Sequence, residues 1–167
     1  MITSARKFGI LGIDIGIKKT AMVAIKETCQ YACLETKHTR KTKNTVLQDT
    51  MLDFLKMNEP LWGECEHIGI EVHWGGKRVT RVGEKLTMLE FTTRQFFAAQ
   101  GKTVHMVTAS AYKRKLKVAT GNYDTNKEVA TAHAHEAMEI DPCDHDRAHD
   151  IGDAYLVCKY LRQKLDK

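Results

Sequence analysis

The strongest constraint on the fold is an apolar run near the N-terminus that carries one carboxylate. Residues 9–20 read Gly-Ile-Leu-Gly-Ile-Asp-Ile-Gly-Ile-Lys-Lys-Thr, which predicts a buried first strand over Phe8–Ile15. Asp14 lies inside this strand, where an ionised carboxylate is costly unless it is paired, protonated or bound to a metal. Two interpretations stay open: a metal anchor for phosphate chemistry, or an aspartate that bonds to its own turn amides.

The segments that follow predict a mixed α/β domain. Two further strands after short polar breaks indicate an antiparallel meander, and the later strands are separated by helices, so they should join the sheet in parallel. The expected fold is an α/β mixed sheet of five strands, three antiparallel and then two parallel, with helices on both faces. The predicted strands are Phe8–Ile15, Ala21–Lys26, Gln30–Glu35, His67–Val72 and Thr103–Val107. The predicted helices begin at Asn44 or Thr45, at Glu84, after Ser110, at Lys127 with Asn126 as its cap, and at Ala148.

Composition restricts the class of protein. The chain has 167 residues with 43% hydrophobic and 28% charged side chains, and it contains no linker or repeat, which predicts one domain over residues 1–167. Its five cysteines form no Cys-x-x-Cys pair, and no signal peptide or membrane-spanning run is present. We therefore expect reduced thiols in a cytoplasmic, nuclear or nucleoid compartment, with no membrane partner.

The charges are unevenly distributed along the chain. The net charge is +5, with basic clusters at 37–43, 77–81 and 113–117 and acidic residues gathered at 139–153. This pattern favours an enzyme that holds a polyanion with its flanks and a metal at its centre. The alternative is a set of solvated surface faces.

Four carboxylates on different predicted elements could converge. Asp14 lies on the first strand, Glu71 lies near the end of the fourth, and Asp150 and Asp153 share one face of the last helix. Ligands of such sheets bind at the carboxyl ends of strands. All-oxygen ligation suits Mg²⁺ or Mn²⁺, and two such ions could hold the attacking water and the leaving oxygen of a phosphodiester. The alternative for Asp150 and Asp153 is stabilisation by the helix dipole.

These residues carry a family resemblance. The segments Gly12-Ile-Asp-Ile-Gly, Ile70-Glu-Val-His-Trp and His149-Asp-Ile-Gly-Asp-Ala-Tyr-Leu resemble the acidic motifs of the RuvC-type Holliday-junction resolvases of the RNase H-like superfamily. The resemblance covers roughly Gly9 to Cys158, and it implies that the α/β mixed five-stranded sheet is RNase H-like. It implies that Asp14, Glu71, Asp150 and Asp153 are the catalytic, metal-binding set. It also implies a homodimer that cuts four-way DNA junctions by symmetric nicks, leaving 5′-phosphates and 3′-hydroxyls, without a small-molecule cofactor.

The same resemblance implies DNA contacts. Trp74 matches a family position that is often aromatic and meets bases near the branch point, although it could instead pack on the helix at 84–100. Lys113 and Lys127 match two basic family positions that could neutralise the scissile phosphate or the leaving oxygen, or clamp a phosphate at the surface. Further phosphate contacts are expected from Lys77, Arg78 and Arg81.

Several alternatives stay open. Asp146 could share a face with Asp150 and Asp153 if the last helix starts early, and His149 could contact a metal ligand without binding the metal itself. The same acids would serve an RNase H-like nuclease acting on an RNA–DNA hybrid, a flap or other branched DNA. Asp-x-Gly followed by Lys-Thr also resembles the first phosphate loop of the sugar-kinase, actin and Hsp70 superfamily, which needs two such domains. A binding module without catalysis would not need all four acids.

Overall fold

The computed structural model describes residues 9–73, 80–119 and 121–167. Five strands are present: β1 (Gly9–Asp14), β2 (Lys19–Ile25), β3 (Cys29–Glu35), β4 (Cys65–Val72) and β5 (Thr103–Thr108). The α-helices are α1 (Asn44–Met57), α2 (Glu59–Trp62), α3 (Arg81–Ala99), α4 (Ala109–Lys115), α5 (Tyr123–Ala137) and α6 (Ala148–Leu165), and a 3₁₀ helix covers Pro142–Arg147.

The strands form one mixed sheet in the order β3-β2-β1-β4-β5. Strand β2 pairs antiparallel with both β1 and β3, whereas β4 pairs parallel with β1 and β5. The expected α/β fold with three antiparallel and two parallel strands is therefore confirmed. Parallel pairing requires crossover connections, and α1 and α3 supply them.

Three helices begin earlier than the sequence predicts, because a residue upstream caps each of them. The Thr80 side chain accepts a hydrogen bond from Gly83 N, so α3 begins at Arg81 and not at Glu84. Thr108, not Ser110, caps α4. Asn122, not Asn126, caps α5, because its side-chain oxygen accepts from Thr125 N at 3.1 Å. In each case a threonine or asparagine upstream of the predicted start accepts a hydrogen bond from a free amide of the first turn.

The sheet separates two apolar layers. Alternate residues of β1 point to opposite faces, so that Leu11 and Ile13 join one cluster and Ile10 joins the other. The first cluster includes α1, α2 and α3, with Trp62 and Phe97 in an edge-to-face contact at 5.2 Å. We call it the aromatic layer. The second cluster includes α5 and α6 and many small residues, among them Ala130 and Ala154, and we call it the small-residue layer.

Helix α6 approaches the sheet very closely in the small-residue layer. A Cβ atom on Gly12 of β1 would lie 2.1 Å from the Ala154 carbonyl oxygen and 2.8 Å from Cys158 Sγ. A Cβ atom on Gly152 would lie 1.9 Å from the Ala130 carbonyl oxygen of α5. Only glycine permits these two approaches, the first of which holds α6 against β1 and the second of which holds α5 against α6.

Two findings concern membrane spans and the cysteines. None of the described helices combines the length and hydropathy that a bilayer-spanning segment needs. All five cysteines lie in the described residues and are free thiols.

Candidate metal centre

The site begins with two carboxylates at the carboxyl ends of neighbouring parallel strands. Ile13 of β1 pairs with Ile70 of β4, so the next residues, Asp14 and Glu71, lie side by side. Both follow the alternation that directs Gly12 and Gly69 towards α6. Ligand atoms of Asp14, Glu71 and His73 all lie within 4.8 Å of one another. Three potential metal ligands therefore meet at this edge of the sheet.

Helix α6 brings the third carboxylate of the predicted set to this edge. The Tyr112 hydroxyl lies 2.9 Å from Asp153 Oδ1 and 3.0 Å from Glu71 Oε2, so one buried phenol joins a helix acid to a strand acid. A hydroxyl has one proton, which it can donate to only one of these carboxylates at a time. Lys113 Nζ adds an ion pair to Asp153 Oδ1 at 3.2 Å. Helix α4 thus places a phenol and a cation on Asp153.

Asp150 lies one turn earlier on α6. Its Oδ1 is 3.0 Å from His149 Nε2, while its Oδ2 is buried and has no hydrogen-bond partner among the described residues. A buried carboxylate oxygen without a donor is unfavourable unless a cation satisfies it. The orphaned oxygen is the first indication that this cluster is built for a positive ligand.

The electrostatics of the strand acids agree with that indication. Loss of hydration, followed by the negative charges of Glu71, Asp153 and Asp150, raises the pKa of Asp14 well above its usual value, and Lys113 opposes this only in part. Burial and then the charge of Asp153 raise the pKa of Glu71. Crowded carboxylates behave in this way when no cation neutralises them.

The donor set fits a hard divalent cation. Carboxylate oxygens with one imidazole nitrogen match the ligands of Mg²⁺ and Mn²⁺, with Mn²⁺ the more tolerant of nitrogen. Asp14, Glu71, Asp150 and Asp153 would hold it, and His73 is placed to join them. Glu90 fixes His73, because Glu90 Oε1 accepts from His73 N at 2.9 Å and lies 3.2 Å from Nδ1. An imidazole that donates Nδ1–H to a carboxylate keeps its Nε2 lone pair for a metal.

Comparison with known proteins shows which solved structures share this fold. No family model matches the sequence, and no curated protein matches it. Solved structures do match: Thermus thermophilus RuvC in complex with a Holliday junction substrate has a TM-score of 0.64 at 10% identity, covering 94% of this chain and 96% of that chain. A second T. thermophilus RuvC structure gives a TM-score of 0.62 at 12% identity, with the same coverage of 94% and 96%.

This chain has a RuvC-like fold. The yeast mitochondrial Holliday junction resolvase Ydc2 also matches, with a TM-score of 0.56 at 13% identity over 90% of this chain and 76% of that chain. The carboxylate cluster lies on elements that belong to this RuvC-like fold, at the strand ends where α6 crosses the sheet.

The predicted basic residues that the structure describes lie in three different surroundings. Lys113 contacts Asp153, inside the cluster. Lys127 lies within α5 with its ammonium 4.6 Å from the centre of the Tyr123 ring, and it forms no ion pair with the four acids in the described ranges. Arg81 is the exposed first residue of α3. Trp74, Lys77 and Arg78 lie outside the described residues.

The two remaining candidates near α6, Asp146 and His149, have different partners. Asp146 lies in the 3₁₀ helix before α6 and forms an ion pair with Lys19 Nζ at 3.5 Å, so it does not continue the face of Asp150 and Asp153. His149 contacts Asp150 directly at 3.0 Å. The 3₁₀ helix has a tighter repeat than an α-helix, so the i, i+4, i+7 relation does not extend through it.

Sequence reasoning missed Tyr112, His73 and Glu90. His73 had a signal, because two residues after Glu71 on a strand is the same side of the sheet. Glu90 had a weaker one: it lies three residues before Thr93 and seven before Phe97, on the buried face of α3. Tyr112 had none, since only the packing of α4 against α6 brings its hydroxyl between two acids.

Proposed function

We propose that this chain is a Mg²⁺- or Mn²⁺-dependent endonuclease that resolves four-way (Holliday) DNA junctions. It acts as a homodimer, with a single nuclease domain over residues 1–167 in each copy, and makes paired symmetric nicks. The observation that carries the proposal is a cluster of acids from β1, β4 and α6. One buried phenol joins Glu71 to Asp153, the ligand atoms of Asp14 lie within 4.8 Å of those of Glu71, and the charge of Asp150 helps to raise the pKa of Asp14. Structural likeness to RuvC, one example of which was solved with a Holliday junction, supports the choice of substrate.

The residues divide the chemistry among them. When bound, a pair of divalent ions supplies Lewis acidity at the scissile phosphate and lowers the pKa of the attacking water. Asp14, Glu71, Asp150 and Asp153 would hold these ions. Lys113, already beside Asp153, neutralises charge on the phosphate, and we assign Lys127 to the leaving oxygen. Water loses a proton to solvent and adds to phosphorus as the bond to the 3′ oxygen breaks; that oxygen takes up a proton, and the products are a 5′-phosphate and a 3′-hydroxyl.

Contacts outside the acid cluster fix the position of the protein along the DNA. We propose that Trp74 stacks on a base near the branch point and that Lys77, Arg78 and Arg81 hold phosphates. A homodimer is proposed because a four-way junction is resolved by two cuts on opposing strands, which two related sites make naturally. The free thiols support a reducing cytoplasmic, nuclear or nucleoid compartment.

The test compares an immobile four-way junction with a matched linear duplex and an RNA–DNA hybrid. Each is incubated with Mg²⁺ or Mn²⁺, and the ends are mapped on a denaturing gel. We expect paired symmetric nicks on the junction alone. Cutting of the hybrid or duplex instead would assign a general RNase H-like nuclease, and tight junction binding without cutting would leave a binding role.

Asp153→Asn provides the decisive variant. We expect cleavage to fall at least about 10²–10³-fold, as when one group that stabilises a transition state is removed. Junction binding should stay or tighten, because a negative charge near phosphates is lost. Asp49→Asn on the exposed face of α1 makes the same change in charge away from the site and should cut normally. Normal cutting by Asp153→Asn would refute the ligand assignment.

A further inference from the structure

An open groove between α4 and the C-terminal half of α6 is lined by cations. Its described lining includes no acidic side chain, and the half-buried ring of Tyr160 lies among the charges. Five exposed cations line it: Arg114, Lys115, Lys117, Lys164 and Lys167. We call this the α4–α6 groove. Three of these charges come from the basic cluster at 113–117, and the other two come from the end of α6 and the residues after it.

These five cations are unpaired, unlike several others in the protein. Lys19, Lys26, Lys113 and Arg147 each form an ion pair with a carboxylate. Within the described ranges, no ion pair involves a cation of the α4–α6 groove. Like charges gathered without counter-charges repel one another, and binding of a polyanion relieves that repulsion.

Lys117 makes the strongest case that these side chains serve a ligand. Its φ of 58° is the one left-handed value among the non-glycine residues that the structure describes. It follows α4 at a helix end where Lys117 N donates to Arg114 O at 3.2 Å and Val118 N donates to Lys113 O at 2.9 Å. Glycine is the usual residue at such a position because a Cβ atom strains the backbone there. A lysine at a position whose backbone conformation favours glycine indicates a role for the lysine side chain.

The α4–α6 groove continues from the metal centre. Helix α4 contacts Asp153 through Lys113 and contributes its next basic residues to the groove. Along α6, Lys164 lies about 16 Å from Asp153 at the helical rise of about 1.5 Å per residue. At about 3.4 Å per nucleotide of one strand, this distance spans about five nucleotides.

We propose that the α4–α6 groove binds the sugar–phosphate backbone of the duplex arm that leaves the cut, about five nucleotides from the scissile phosphate. This inference rests on the proposed nuclease function, because that function supplies the DNA at the metal centre. The groove contacts phosphates and reads no sequence. It contributes to affinity and to the salt dependence of binding, and it leaves the chemical step unchanged.

The first test uses Lys117, where backbone strain and charge make opposite predictions. Lys117→Gly relieves the left-handed strain and removes the cation. We expect an unchanged or slightly higher Tm together with about 3-fold weaker binding of the four-way junction. Lys117→Arg keeps the charge and should bind like the unmodified protein. A purely structural lysine would give the same gain in Tm with unchanged binding, and that result would overturn the proposal.

The second test removes two cations at once and uses a matched control. Arg114→Gln/Lys164→Gln should weaken binding about 10-fold near physiological salt. It should also reduce the slope of log K against log salt by about 1.8, which is about 0.9 for each lost phosphate contact. Arg94→Gln/Lys56→Gln makes the same change in charge on exposed positions of α3 and α1, in the opposite layer, and should change neither quantity by as much. The cleavage rate at saturating junction should be equal in all of these proteins.

The outcomes separate the two proposals. If the unmodified protein cuts the junction but the groove variants match their controls in affinity and salt slope, the α4–α6 groove is not a DNA site and the proposed function stands. If the unmodified protein neither binds nor cuts DNA, both proposals fail. If binding to a linear duplex depends on the groove while junctions are not cut, the nuclease proposal fails together with the placement of the groove beside a cut, and only its binding of a DNA backbone stands.

Discussion

The two layers on either side of the sheet differ in what they are built to do. The aromatic layer fills its volume with large side chains, and Trp62 Nε1 even donates to Leu55 O at 2.7 Å inside it. The small-residue layer instead replaces bulk with glycine and alanine, which lets α6 lie against β1 and α5 lie against α6. Large residues bury the most apolar area for each side chain, whereas small residues set the distance between backbones.

This difference shows which layer must hold the catalytic side chains in exact positions. Asp150 and Asp153 reach the strand acids only because α6 is held close, so the small-residue layer sets the geometry of the metal centre. The aromatic layer contributes mainly stability, with Glu90 of α3 as its one described link to the site through His73. The predictions below separate these roles, from the largest expected effect on stability to the smallest.

Phe97→Ala should cause the largest loss of stability without changing the chemistry. Phe97 is completely buried and contacts both Trp62 and Phe96 edge to face. We expect the free energy of unfolding to fall by about 3–5 kcal/mol, measured by urea unfolding. The cleavage rate of the folded fraction at low temperature should stay within about 2-fold, since the displaced atoms lie in the layer opposite α6. A large loss of rate would show that the aromatic layer also sets the site geometry.

Gly152→Ala should cost less stability and far more activity. The added Cβ atom meets the Ala130 carbonyl oxygen at 1.9 Å, so α5 and α6 must separate. We expect a loss of about 1–3 kcal/mol from overpacking and a fall of about 10²-fold in cleavage, because a displacement of about 1 Å misplaces Asp153.

Gly83→Ala is the control for this change. Its Cβ atom meets only the Thr80 Oγ1 atom, at 3.3 Å, near the exposed start of α3. Alanine favours the helix there by up to about 1 kcal/mol, and cleavage should not change. Equal cleavage by Gly152→Ala and Gly83→Ala would contradict a positioning role for the close helix packing.

Asp14→Asn should have the smallest effect on stability, and of the opposite sign. The raised pKa of Asp14 means that the folded protein holds the neutral carboxyl more readily than the unfolded chain does, where the value is near 3.8. The stability from this group is therefore present below that value and is lost as pH rises through the raised pKa. Without metal at pH 7, we expect Asp14→Asn to raise the Tm by about 2–4 °C, the shift for about 1 kcal/mol.

Two further measurements check the cause of that gain. The advantage of Asp14→Asn should shrink as the pH is lowered towards about 4, because the carboxyl of the unmodified protein then becomes neutral as well. Saturating Mg²⁺ or Mn²⁺ should reverse the order of the two Tm values, since the variant has lost a ligand. A gain in Tm that is independent of both pH and metal would rule out charge repulsion as its origin.

Local patterns in the sequence were sufficient for much of this protein. The apolar runs placed Asp14 inside the first strand and Glu71 near the end of the fourth, and the order of strands and helices predicted the sheet, because strand period and connection length are local properties. Predictions that depended on choosing among neighbouring polar residues were wrong: Asn122 and not Asn126 caps α5. Lys127 consequently lies deeper in that helix, and its assigned role stays a prediction.

Only the tertiary structure decided which side chains surround the acids. Tyr112, Lys113 and Asp153 come from two helices whose packing no local pattern specifies, and their contacts depend on α4 and α6 meeting beside the sheet. The α4–α6 groove arises from the same packing, which turns a basic stretch and a C-terminal helix end into one surface. Sequence spacing fixes the face on which a residue lies, whereas its long-range partners depend on backbone separations that the glycines in α6 and β1 set in three dimensions.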